Sequence, residues 1–137
     1  MPTKMTFLST DGKSRLEIES HDDGQGYSAF AVEATVDVGH GRFSAWNGDV
    51  QWLNLDRFAA ALEQFATDRT SIPELEGTYD SRVGLSARGH TIFLEFAVGD
   101  AFCGEKTHDY LFAGSFELDR ECLPGVLSTV RSLVTRA

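Results

Sequence analysis

The stretch "RFSAWNGDVQWLNLDRF", Arg42 to Phe58, is where a sheet hands over to a helix. Phe43 and Ala45 fall on one side of an extended segment and Ser44 and Trp46 on the other, the period of two that defines a strand. Asn47-Gly48 is the commonest two-residue hairpin signal, because both residues tolerate positive φ. The spacing therefore predicts a tight turn there and a short second strand through Leu53. Asn54 is a good N-cap, its side chain able to accept from the free amides of a first helical turn. Asp56 adds negative charge near the positive end of the helix dipole. Leu55, Phe58, Ala59, Leu62, Phe65 and Ala66 come next at spacings of three and four, one apolar stripe of a helix over about 55–68.

Working outward, the flanks read mainly as strands. "SRLEIES" puts Leu16 and Ile18 on one side and Arg15, Glu17 and Glu19 on the other. "YSAFAVEATVDV" does the same with Phe30, Val32, Ala34, Val36 and Val38 against Glu33, Thr35 and Asp37, the pattern of an antiparallel sheet with one buried and one wet side. "GHG" turns the chain into "RFSAW". Downstream, "LEGTY", "RVGLSA", "HTIFLEFAV" and "DYLFAGSFEL" read as further strands, with "SARGHT" the turn of a hairpin. Asp119 can cap a helix beginning just after it. Leu123, Val126, Leu127, Val130, Leu133 and Val134 form a second amphipathic stripe over about 122–135, where Pro124 is tolerable only in the first turn. No internal repeat is visible.

Two single-striped helices must bury those stripes against something. The expectation is an α+β fold in one domain, residues 1–137: a curved antiparallel sheet of about seven strands with both helices packed on one face. A β-sandwich with peripheral helices is the alternative.

Composition narrows the function. At 137 residues, with 42% hydrophobic and 24% charged content, the chain resembles an ordinary globular domain rather than a disordered one. No apolar run approaches the roughly 20 residues of a membrane span, and the N-terminus lacks a secretory h-region, so a cytoplasmic protein is expected. Two cysteines, Cys103 and Cys122, are too few for a disulfide framework, and reduced thiols suit that compartment. A net charge of −9, from 12 basic and 21 acidic residues, works against nucleic acid or an anionic membrane and suits a basic partner.

Catalytic signals are weak. Of His21, His40, His90 and His108, three sit in turns or at strand ends. The nearest approach to a site is Asp100, Cys103, His108 and Asp109 in one loop, but the Cys-His spacing matches no zinc pattern and no third group completes a catalytic pair. "GHGRF" opens no helix and cannot cradle a phosphate. Glu95 reads as a solvent-facing acid. No enzyme, cofactor or metal is expected. Charge patterning is more informative: between Arg15 and Arg42 there is no lysine or arginine, yet Glu17, Glu19, Asp22, Asp23, Glu33 and Asp37 occur. Glu17 and Glu19 share the wet side of one strand, Glu33 and Asp37 that of its neighbour. Carboxylates crowded on adjacent strands repel by a few tenths of a kcal/mol per close pair. Either a cationic partner neutralises them or they keep a solvated face from aggregating. Trp46 and Trp52 join them as candidates for partner binding if exposed, and as core residues if buried.

The order "FSAWNGDVQWLNLDRFAAALEQF", then "LEGTY" and a hairpin, then "YLFAGSFELDRECLPGVLSTVRSLV" resembles the WapI-type immunity proteins and related small bacterial domains of polymorphic-toxin loci. Their Leu-x-x-Phe-x-x-x-Leu helix is matched by Leu55, Phe58 and Leu62. Their Asp-Gln-Thr-x-Leu segment is matched at Asp119 and Leu123, with Arg120 and Glu121 in place of Gln-Thr. The resemblance implies a non-catalytic cytosolic protein that binds and blocks a toxin domain, a basic nuclease by its chemistry. It carries no contact residues. An orphan enzyme using the Asp100–Asp109 loop and a homodimeric structural module are the competing readings.

Overall fold

A computed structural model describes residues 3–22, 28–99 and 110–135. The chain runs β1 (Lys4–Leu8), β2 (Arg15–Asp22), β3 (Ser28–Asp37), β4 (Arg42–Val50), α1 (Leu55–Asp68), β5 (Glu74–Glu76), β6 (Arg82–Arg88), β7 (Thr91–Gly99), β8 (Leu111–Glu117) and α2 (Leu123–Thr135). The α+β class is as expected, but a single seven-stranded sheet is not what forms. There are two four-stranded antiparallel meanders, β1-β2-β3-β4 and β5-β6-β7-β8. Among the described residues their ladders are joined by single bridges at two corners, Ser9 with Leu118 and Trp52 with Gly77. The strand not expected is β1, in which Met5 and Phe7 point into the core.

The expected faces hold apart from Val38, expected on the buried side but exposed just past the end of β3. Leu16, Ile18, Val32, Ala34, Ile92, Leu94, Phe96 and Val98 are buried, and Phe58, Leu62 and Phe65 of α1 share one core with Leu123, Val126, Val130 and Leu133 of α2. Each large apolar side chain taken from water there contributes about 1.5–3 kcal/mol. The helices pack on each other, α1 also on β5 and α2 also on β1. Pro124 sits in the first turn of α2, where its missing N–H costs nothing, and Asp119 caps the 3-10 turn Arg120–Cys122 through the Glu121 N–H.

Two local expectations are overturned by one cause, the competition between a residue's local habits and a distant backbone group. Asn47 and Gly48 make no turn; they lie inside β4, where the register against β3 slips between Val32–Asn47 and Phe30–Val50. Asn47 is buried, and its side chain donates to the Gly99 carbonyl at 2.6 Å and accepts from the Asp49 N–H at 2.9 Å. It ties the first sheet to the second. Asn54 does occupy the N-cap position of α1, yet its side chain makes no cap bond. It donates instead to the Glu74 carbonyl and accepts from the Glu76 N–H, both at 2.8 Å, completing β5 as a strand neighbour would.

The architecture repeats. Each half is four strands and a helix, and the corners are reciprocal. Thr10 N–H donates to Glu117 O and Asp119 N–H to Leu8 O, just as Thr78 N–H donates to Gln51 O and Leu53 N–H to Glu76 O. The buried trio Phe58, Leu62, Phe65 recurs as Val126, Val130, Leu133, each residue offset by 68 positions. The repeat lies in burial and hydrogen bonding rather than in residue identity.

Candidate partner-binding face

The outer side of the first sheet carries a row fixed by strand register: Thr6 on β1, Glu17 on β2, Glu33 on β3, Trp46 on β4. Three of the eight residues expected to bind a partner therefore stand side by side. Trp46 is 58% exposed. Its ring lies back over Gly48, where a Cβ would stand 2.4 Å from the ring, so the glycine gives the indole a flat backbone to rest on. Glu33 is exposed and makes no ion pair among the described residues. Beside the pair, Glu33, Thr35, Ser44, Ala45, Trp46 and Tyr110 line an open depression of about 520 Å³. The Tyr110 hydroxyl donates to the Trp46 carbonyl at 3.0 Å, and His21 Nε2 donates to the Gly48 carbonyl at 2.9 Å.

The remaining acids are less available than their spacing along the chain suggests. Glu17 pairs with Lys4 and, at 3.1 Å, with Arg15, and its side chain is only 15% exposed. The Glu17 carboxylate in turn raises the Lys4 pKa by hydrogen bond and by charge. Glu19 stands opposite Lys4 in register. Asp37 is engaged locally, its carboxylate accepting from the Gly39 N–H, and it faces Arg42 across β3 and β4. Asp22 ends β2, and Asp23 lies outside the described residues. Counting charges along the chain from Arg15 to Arg42 finds acids alone. Antiparallel pairing then brings Lys4 and Arg42 across to meet them, and Arg15 meets Glu17 two residues along its own strand.

Trp52 belongs elsewhere. It packs against Phe30 with ring centroids 6.3 Å apart and covers Gly77, where a Cβ would lie 2.7 Å from its ring. It locks the corner between β4 and β5 and is not part of the exposed row. Phe43 is 54% exposed and Val38 47%, together at the β3–β4 turn beyond the reach of the opposing sheet.

Among the described residues, no group of three or more His, Cys, Asp or Glu could hold a metal. The expected loop Asp100, Cys103, His108, Asp109 lies outside them. Cys122 is a half-buried thiol that donates to the Asp119 carbonyl at 2.9 Å, and burial pushes its pKa up, so it is a poor nucleophile. Glu95 is solvent-exposed, as expected. No helix among the described residues is long and apolar enough to cross a membrane.

What the sequence did not single out as functional is Ser44 and Tyr110. Both matter through position at a sheet edge, which depends on strand order. A comparison with protein-family models, with curated proteins and with solved structures finds no match to this chain.

Proposed function

We propose that the protein is a non-catalytic binding protein that holds a basic protein partner against the outer side of its first sheet. Its biological role in this reading is that of an immunity protein neutralising a toxin, a nuclease by the chemistry of the partner. The observation that carries the binding half is the adjacency of an exposed Glu33, without an ion pair among the described residues, to an exposed, backbone-supported Trp46. An aromatic anchor beside a charge is the composition of an interface hot spot. A chain carrying −9 overall would steer a cationic partner towards it. The toxin half rests on the sequence resemblance.

Co-expression with the C-terminal domain of the gene immediately upstream tests both. Protection of the cell is expected, with loss on the double change Glu33→Lys and Trp46→Ala, and weaker association in salt. Protection that survives the double change removes this face from the reading; a harmless upstream domain removes the toxin. The exposed Phe43 and Val38 favour a second reading, a homodimeric module, which sedimentation of the isolated protein would expose as a dimer.

A further inference from the structure

The free edge of β4 extends this reading and rests on it. In an antiparallel ladder, bonded and non-bonded pairs alternate. The Val38 N–H donates to Gly41 O at 2.9 Å, which sets the phase. Val36 with Phe43 and Ala34 with Ala45 then exchange bonds, while Arg42, Ser44 and Trp46 turn their N–H and C=O away from β3. The Tyr110 hydroxyl on the Trp46 carbonyl fits that phase. Among the described residues no strand pairs with β4 on that side, since it is last in its sheet. Among the described residues, the N–H and C=O of Arg42 and Ser44 have no partner on this edge.

An open edge is a template for another strand. Natural edges are blunted by proline, by a pairing-breaking bulge or by inward charges; here Arg42 stands at one end, the register slip comes only after Asn47, and Ser44 leaves the middle open. The depression lined by Glu33, Thr35, Ser44, Ala45, Trp46 and Tyr110 runs beside the same stretch.

We propose that β4 binds an extended peptide segment by strand addition, its main chain pairing with Arg42 and Ser44 and one lysine or arginine lying across Trp46 to reach Glu33. Geometry selects the long cation. A strand added beside β4 stands two strand spacings from β3, roughly 10 Å, so only a long side chain crosses the intervening strand to meet the Glu33 carboxylate. The route passes over an indole face, where a cation is stabilised. Main-chain bonds supply affinity and the Trp46–Glu33 socket supplies selectivity, the division of labour of strand-addition sites. A second copy of this chain suits the edge less, because each copy carries −9. It would also bring Arg42, not a cation positioned for Glu33, to the edge.

The test uses the whole protein and a nine-residue peptide of alternating threonine and valine with a central lysine, monitored by tryptophan fluorescence and by amide exchange. Binding is expected to slow exchange of the Ser44 amide and to weaken about tenfold when the peptide lysine becomes glutamate. Ser44→Pro removes an outward N–H without touching the β3 ladder, as proline is tolerated on an edge, and is expected to weaken binding about tenfold. Ser44→Ala keeps the amide and should bind as wild type. Binding that resists Ser44→Pro yet falls with Glu33→Lys would sink strand addition and leave the partner face standing. Binding unmoved by either change, or by Trp46→Ala, would remove the face as well. Absence of binding up to the solubility limit, or a dimer that buries the Ser44 amide, overturns the proposal outright.

Discussion

Replacing Asn47 by alanine tests the claim that a residue with every local mark of a turn is an inter-sheet tie. Its amide donates to the Gly99 carbonyl at 2.6 Å and accepts from the Asp49 N–H at 2.9 Å, and both Asn47 and Gly99 are buried. Alanine leaves the Gly99 carbonyl without its donor. A buried group orphaned in this way costs about 1–3 kcal/mol. The Asp49 amide belongs to an exposed residue and can turn to water, so it adds little. The small void left by the amide brings the total to about 2–3 kcal/mol. With a urea slope of about 1–3 kcal/mol per molar, the unfolding midpoint should fall by roughly 1 M. Asn47→Asp sharpens the test, since it keeps the shape but points a carboxylate at a carbonyl. Burial and that facing oxygen raise the folded-state pKa above the unfolded value of about 3.9. Between the two values the folded state binds more protons than the unfolded one. Stability of this variant must therefore fall as pH rises through that window and recover below it, where the neutral acid can donate to Gly99. Urea titrations at neutral and acidic pH read both effects. An alanine variant within about 0.5 kcal/mol of wild type, together with an aspartate variant of flat pH dependence, would refute the tie.

Trp46→Ala should shift stability by less than about 0.5 kcal/mol, the ring being mostly in water, whereas Phe58→Ala should cost about 3–5 kcal/mol in the same urea titration. Gly77→Ala drives a Cβ to 2.7 Å from the Trp52 ring and 3.0 Å from Val50, so a loss of about 1–3 kcal/mol is expected, with a shift in tryptophan emission. In the β1–β2 turn the Ser9 hydroxyl and the Lys13 N–H hold the Asp11 carboxyl below its usual range. That contribution is present above the unfolded pKa and is lost as pH falls through the lowered one. The protection of the Lys13 amide, its exchange rate relative to the intrinsic rate at each pH, should accordingly fall in acid, and Asp11→Asn should abolish that change in protection.

Much of the fold was legible because most strands have one clean side and both helices have one stripe. Leu16 and Ile18, Ile92, Leu94, Phe96 and Val98, and Phe58, Leu62 and Phe65 recur at the period of their element, and they are buried. The misreadings occur where a polar side chain serves a partner far away in sequence. Asn47 and Asn54 look like turn and cap because those are the commonest local uses of asparagine. Gly99 and the β5 backbone outcompete them, and neither is visible from the local window. The candidate face divides in the same manner. Alternation alone places Glu17, Glu19, Glu33 and Asp37 on the wet side. Which of them find a cation among the described residues depends in part on register, which brought Lys4 to Glu17 and set Glu33 beside Trp46, while Arg15 reaches Glu17 along the same strand.

The repeated architecture explains why one edge carries the site and the other does not. The row Thr6, Glu17, Glu33, Trp46 has its counterpart in the second sheet as Glu74, Gly84, Glu95, Ser115, strand for strand in the same register. An exposed glutamate survives at the equivalent place, Glu95 for Glu33, and β8, like β4, is last in its sheet among the described residues. The rows differ at the other three places, Thr6 against Glu74, Glu17 against Gly84 and, at the edge strand, Trp46 against Ser115, which sets an indole beside the acid on β4 and a serine on β8. Geometry that offers the same acid and the same backbone twice makes the second edge an internal control. If main-chain pairing alone governed binding, β8 would take the peptide as well as β4; if the Trp46–Glu33 socket governs selection, occupancy belongs to β4. The duplication thus separates the two contributions within a single molecule, and it does so because the halves share their hydrogen-bonding pattern and the central acid while the edge strand carries an indole in one and a serine in the other.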